Sequence, residues 1–217
     1  MIVSPLPNYL SQRDNVNPHN QTPSPNNQCS VTACTMVINW LGDKYSRHEI
    51  NQFHLKEDAV YLALENLREQ KETIVNGRLI KKDNGLISEN VRFFMNTVLA
   101  KMDIPLIANM RQVKGYPQLR DTLEKYKQPL FSSTGTALTS AGHFFVVIGY
   151  SQGHIIVNDP YGVWERTNSN FDNPSEHYRC GGYTSKYGDG IIYDKSIVDK
   201  IYCESVPANI IVFDKLS

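Results

Sequence analysis

The strongest constraint on how this chain can fold lies in two short apolar runs, Phe144-Phe145-Val146-Val147-Ile148 and His154-Ile155-Ile156-Val157, joined through Ser151-Gln152-Gly153. β-Branched and aromatic residues favour extended backbone, and a short loop containing glycine returns the second run antiparallel to the first, so the segment reads as a β-hairpin. The start of the first strand of a hairpin lies beside the end of the second. His143, just before the first run, is therefore expected next to Asp159, in the turn Asn158-Asp159-Pro160-Tyr161-Gly162 just after the second. A carboxylate beside an imidazole is the arrangement that orients a general base.

A distant segment supplies a nucleophile. In Cys29-Ser30-Val31-Thr32-Ala33-Cys34-Thr35-Met36-Val37-Ile38-Asn39-Trp40-Leu41-Gly42, the residues Val31, Cys34, Val37, Ile38 and Leu41 recur at three- and four-residue steps. That spacing predicts a helix with one buried face, ended by Gly42, with Cys29 at its mouth. A thiol at a helix N-terminus meets the positive end of the backbone dipole, which favours thiolate, and a histidine beside it completes an activated nucleophile. Cys34 is the rival, but it lies mid-helix on the apolar stripe and reads as packed. Cys180 and Cys203 have no histidine at ligand spacing, so no zinc site is expected, and four cysteines in 217 residues are too few for a disulfide scaffold.

Together with Ser11-Gln12-Arg13-Asp14-Asn15, the Cys29 helix, the Gly142-His143 strand start and the Asn158–Gly162 turn resemble the double-glycine leader peptidases of the papain clan. They are similar also to the stand-alone relatives of those enzymes, including domains of phage lysins and bacterial cell-wall hydrolases. The resemblance implies a papain-like α+β fold, with an N-terminal helical half carrying the cysteine and an antiparallel sheet carrying the histidine and aspartate. It implies Cys29 as nucleophile, His143 as general base, Asp159 as orienter and an upstream glutamine in the oxyanion hole. Gln12 is the candidate for that last role, separated from Cys29 by the Pro- and Asn-rich 16–28 segment. Gln28 is the alternative, with a side chain next to the nucleophile that is expected to point away from it.

The remaining pattern fits one domain over 1–217. Helices are expected near Ser46–Phe53, Glu57–Glu72, Ser88–Met102 (capped by Ser88) and Tyr116–Lys127, with strands at Ile104–Met110, Leu130–Ser133 and Ile210–Phe213. The Gly-, Asn- and Tyr-rich stretch from Glu165 to Asp194 reads as a loop, either a substrate wall or a cover for the sheet edge. Trp40 reads as core. Trp164 reads as loop packing or as a border of the cleft, His154 begins the second strand at or near the surface, and His19, His48, His54 and His177 have no evident partner.

Lys plus Arg and Asp plus Glu balance at 22 each, so no bulk charge steers the chain to nucleic acid or an anionic membrane. Met1–Pro7 lacks a basic region followed by an apolar stretch, and no run reaches the roughly 18 apolar residues of a membrane helix. A soluble chain without a signal peptide is expected, made in a host cytoplasm and acting on the wall after release or injection. The expected activity is cysteine peptidase or amidase chemistry without metal or organic cofactor, with a peptidoglycan stem peptide as substrate. A processing protease acting in the cell or the virion, and a non-catalytic binding or structural module on the same fold, are the alternatives.

Overall fold

The computed structural model describes residues 1–12, 15, 18–20, 28–45, 55–82, 87–139, 142–164, 178–179, 188–203, 205 and 207–216, with backbone only at 163–164 and 178–179. In chain order the elements are α1 (Cys29–Tyr45), α2 (Glu57–Leu67), β1 (Glu72–Val75), β2 (Arg78–Lys81), α3 (Ile87–Lys101), β3 (Leu106–Val113), α4 (Gly115–Tyr126), β4 (Leu130–Ser133) and β5 (Phe144–Ser151). They continue with β6 (His154–Asn158), β7 (Val163–Trp164), β8 (Tyr178–Arg179), β9 (Ile191–Tyr193), α5 (Lys195–Ile201) and β10 (Ala208–Lys215).

The frame is a 6-stranded sheet in the order β3-β10-β4-β5-β6-β9, antiparallel at every pairing. Alternation along its strands divides the core in two. Phe131, Val146, Ile148, Ile211 and Phe213 pack with α1, α2 and α3. Leu130, Phe145, Val147, Ile210 and Val212 point the other way and pack with Leu119 and Leu123 of α4 and Val198 and Ile201 of α5. The N-terminal helices α1–α3, with Cys29, lie on one face of the antiparallel sheet, the α+β arrangement that the sequence suggested, and α4 and α5 cover the other.

α1 is buried all round from Val31 to Gly42, not along one stripe, because it is enclosed by β4, β5, α2 and α3. Its polar residues are bonded inside that enclosure. Thr35 Oγ1 donates to Val31 O at 2.8 Å, and Asn39 Oδ1 accepts from Leu55 N at 2.7 Å. Gly42 does not end the helix, which runs on to Tyr45. Burial there outweighs the ~1 kcal/mol by which glycine disfavours a helix.

The helix expected over Glu57–Glu72 stops at Leu67, and the chain turns into the β1–β2 hairpin. Its signal is Asn76-Gly77, both in the left-handed region with φ of 48° and 76°, a dipeptide suited to a tight two-residue turn. Gln152-Gly153 closes β5–β6 in the same way, with φ of 46° and 87°. Ser88 is buried inside the first turn of α3 rather than capping it. The helix expected over Ser46–Phe53 lies outside the described residues.

α3 is tied to the edge strand β3 by one side chain. Asn96 Oδ1 accepts from Ala108 N at 2.7 Å and its Nδ2 donates to Ala108 O at 3.0 Å, so the side chain satisfies both main-chain groups of a fully buried residue. Asn96→Ala leaves them unsatisfied and is expected to destabilise the fold by about 2–4 kcal/mol, while the residual folded fraction keeps its activity. Urea unfolding monitored by tryptophan fluorescence checks this, and an unchanged midpoint would remove Asn96 from the account.

Candidate active site

Cys29 is the first residue of α1 and is half-exposed, whereas Cys34, just over a turn further on, is completely buried. Burial pushes the Cys34 thiol far above its ordinary range, so it stays protonated and shielded from substrate. The two thiols thus separate as the sequence suggested, one at the surface end of the helix and one in the core.

The β5–β6 ladder pairs Val146 with Asn158, and just beyond that pair His143 Nε2 lies 2.8 Å from Asp159 Oδ1. Both are buried, at 3% and 0% exposure. A carboxylate only accepts, so Nε2 carries the proton of this bond. Nδ1 is then the ring nitrogen left for another partner, and Cys29 is near enough for its side chain to help raise the His143 pKa. Phe145 and Tyr161 hold the ring edge-on, each 6.4 Å away between centroids. Burial by itself disfavours imidazolium. The Asp159 carboxylate, helped by Cys29, overcomes it and raises the His143 pKa from 6.5 to about 10.

Asp159 is gripped from several directions. Tyr161 N donates to Oδ1 at 2.9 Å and the Tyr193 hydroxyl donates to Oδ2 at 2.7 Å. The Asp159 N–H donates to Gly188 O at 2.9 Å, and the Tyr9 hydroxyl donates to Asp159 O at 3.1 Å. Next door, Asn158 Oδ1 accepts from Gly190 N at 3.0 Å. A Cβ at Gly188 would sit 1.8 Å from Asp159 O, so only glycine lets the 188–190 turn lie flat on the Asp159 backbone.

Gln12 reaches this place by two main-chain anchors. Its N–H donates to Pro160 O at 2.9 Å and its carbonyl accepts from Asn15 N at 3.2 Å. Asn15 Nδ2 in turn donates to Thr32 Oγ1 at 2.9 Å, on the first turn of α1. The Gln12 segment therefore spans from the Asp159 turn to the helix that carries Cys29. Gln28, adjacent to Cys29, is as buried as Gln12, each at 1% exposure. Its carbonyl accepts the first helical bond of α1, from Thr32 N at 2.9 Å.

The other singled-out residues sit elsewhere. Trp40 is in the core, with Nε1 donating to Pro5 O at 2.8 Å. His154 Nδ1 turns to the main chain of the β5–β6 turn, and His19 pairs with Glu65 at 2.6 Å. Cys203 lies beside Ser205. The Trp164 backbone pairs with Tyr178 in a 2-stranded ladder. The Trp164 side chain, Arg13, Asp14, His48, His54, His177 and Cys180 lie outside the described residues, as does 165–177. The expected loop ends earlier than Asp194, because Ile191–Tyr193 forms a strand on β6.

Tyr193, Gly188 and Tyr9 are the site's unforeseen residues. The β-branched and aromatic run Ile191-Ile192-Tyr193 was a legible strand signal, but nothing local says where the Tyr193 hydroxyl goes.

Among the described residues no helix is long and apolar enough to cross a membrane. A model of the Peptidase C39-like family matches residues 9–186. A crystal structure of a Bacillus anthracis protein assigned as a C39-like peptidase superposes with a TM-score of 0.52 at 12% identity, covering 99% of this chain and 98% of that one. No curated protein matches the chain.

The raised His143 pKa carries a stability consequence. A group that binds its proton more tightly when folded stabilises the fold fully below its unfolded pKa, near 6.5, and that contribution is lost as pH rises to about 10. Urea midpoints should fall across that window in the native chain and fall less in Asp159→Asn, in which the cause of the rise is gone. Parallel profiles for the two proteins would overturn the assignment.

Proposed function

We propose a catalytic mechanism and a substrate for this chain, which belongs to the Peptidase C39-like family. It is a cysteine peptidase, and its substrates contain peptide bonds. The observation that supports the mechanism is the buried pair of His143 Nε2 and Asp159 Oδ1 at 2.8 Å, with Cys29 near enough to help raise the His143 pKa. Cys29 attacks the scissile carbonyl as thiolate, with its proton held on His143. The new C–S bond forms as the carbonyl π pair moves onto oxygen. His143 then protonates the departing amine, the C–N bond breaks, and a thioester remains. Water, deprotonated by His143, attacks the thioester and releases the acid and the Cys29 thiol. Asp159 keeps Nε2 protonated throughout, so Nδ1 is the atom that exchanges the proton. Because His143 and Asp159 are buried and only the thiol end is open, these charges act with little screening by water.

The oxyanion is held by the Cys29 N–H and a glutamine amide. Gln12 is the better candidate, since its backbone is fixed to Pro160 on one side and, through Asn15, to α1 on the other. The substrate we assign is the peptide stem of bacterial cell wall. Its support is the resemblance of the Cys29, His143 and Asp159 segments to stand-alone relatives in lysins and cell-wall enzymes.

Cys29→Ala should abolish turnover with the fold intact, and iodoacetamide should label Cys29 well before Cys34. Gln12→Ala should lower turnover about 100- to 1000-fold, with Cys29 still alkylatable, and Gln28→Ala should be mild. Digestion of purified sacculi, read by mass spectrometry of released fragments, tests the substrate. New amino termini within the stem peptides support it; intact sacculi beside a cleaved protein substrate would transfer the chain to the processing proteases.

A further inference from the structure

We propose that Tyr193 is a positioning residue of this peptidase: its hydroxyl, through Asp159 Oδ2, fixes the carboxylate's orientation and sets how tightly His143 holds its proton. The inference rests on the reading of Cys29, His143 and Asp159 as one relay. Tyr193 belongs to β9, which follows the last residue matched by the family model.

The geometry divides the carboxylate. His143 Nε2 and Tyr161 N both address Oδ1, and the Tyr193 hydroxyl addresses Oδ2 at 2.7 Å. Tyr193 is 1% exposed and Asp159 is 0% exposed, so this bond is shielded from bulk solvent. Its ring is held in turn against Phe145, with centroids 6.0 Å apart, and its backbone by the pairing of Ile155 with Tyr193. The donor is therefore rigid.

Two effects follow from that donor. It pins the rotation of the carboxylate, so that one oxygen faces the imidazole. It also draws negative charge toward Oδ2, which weakens the pull of Oδ1 on the Nε2 proton. A relay needs an imidazolium that forms readily and yet gives its proton to a leaving amine. An Asp159 relieved of the Tyr193 donor would hold the imidazolium too firmly.

His143 titration followed by NMR, together with the pH dependence of Cys29 alkylation by iodoacetamide, tests this without a known substrate. Phenylalanine keeps the ring packing, so Tyr193→Phe should fold. It should raise the His143 midpoint by roughly half a pH unit or more, with the upper step of the alkylation profile moving alike. Replacing Tyr193 by 3-fluorotyrosine keeps the shape and strengthens the donor, so the midpoint should fall. Asp159→Asn should lower it, and adding Tyr193→Phe to Asp159→Asn should move it no further. An unmoved midpoint in Tyr193→Phe, with Asp159→Asn lowering it, overturns the role of Tyr193 alone. If Asp159→Asn leaves the midpoint in place, the relay itself fails.

Discussion

A carboxylate with no access to water is the constraint around which the site is arranged. Asp159 is fully buried, and an ionised carboxylate in such a place is tolerable only when donors surround it. His143, Tyr161 and Tyr193 supply them from a strand start, a turn and an edge strand. The requirement of one buried charge thus dictates how β5, β6 and β9 end relative to one another.

The sheet makes this possible by being covered on both faces. Alternate residues of β5 feed separate cores, Val146 and Ile148 on one side and Phe145 and Val147 on the other. A shift of one residue in register would exchange the two sets and move His143 away from Asp159. The same packing that stabilises the fold therefore specifies the site. At the helical side, enclosure of α1 on every flank holds the end that carries Cys29.

What the sequence reveals here is local, and what it conceals is long-range. The β5–β6 hairpin, the helix opening on Cys29 and the burial of Cys34 were all legible, because each follows from periodicity or from turn chemistry within a few residues. Asn76-Gly77 carried an equally plain turn signal, yet the helical pattern preceding it masked the hairpin. The single-stripe reading of α1 was too narrow, since a threonine or asparagine scores as polar until its buried partner is known, as with Asn39 and Leu55. Tyr193 and Gly188 could not have been found from spacing. Their contribution depends on a strand pairing that brings them onto Asp159 after a long excursion of the chain.

That excursion bears on how the turn around Asp159 is completed. The Asp159 N–H is held by Gly188 O, and Asn158 by Gly190 N, so the turn is complete only once residues made well after Cys29 and His143 have folded back. A loop of the chain must close before these contacts are rewarded. The surroundings of Asp159 are thus set as much by the pairing of β9 with β6 as by the hairpin that carries His143.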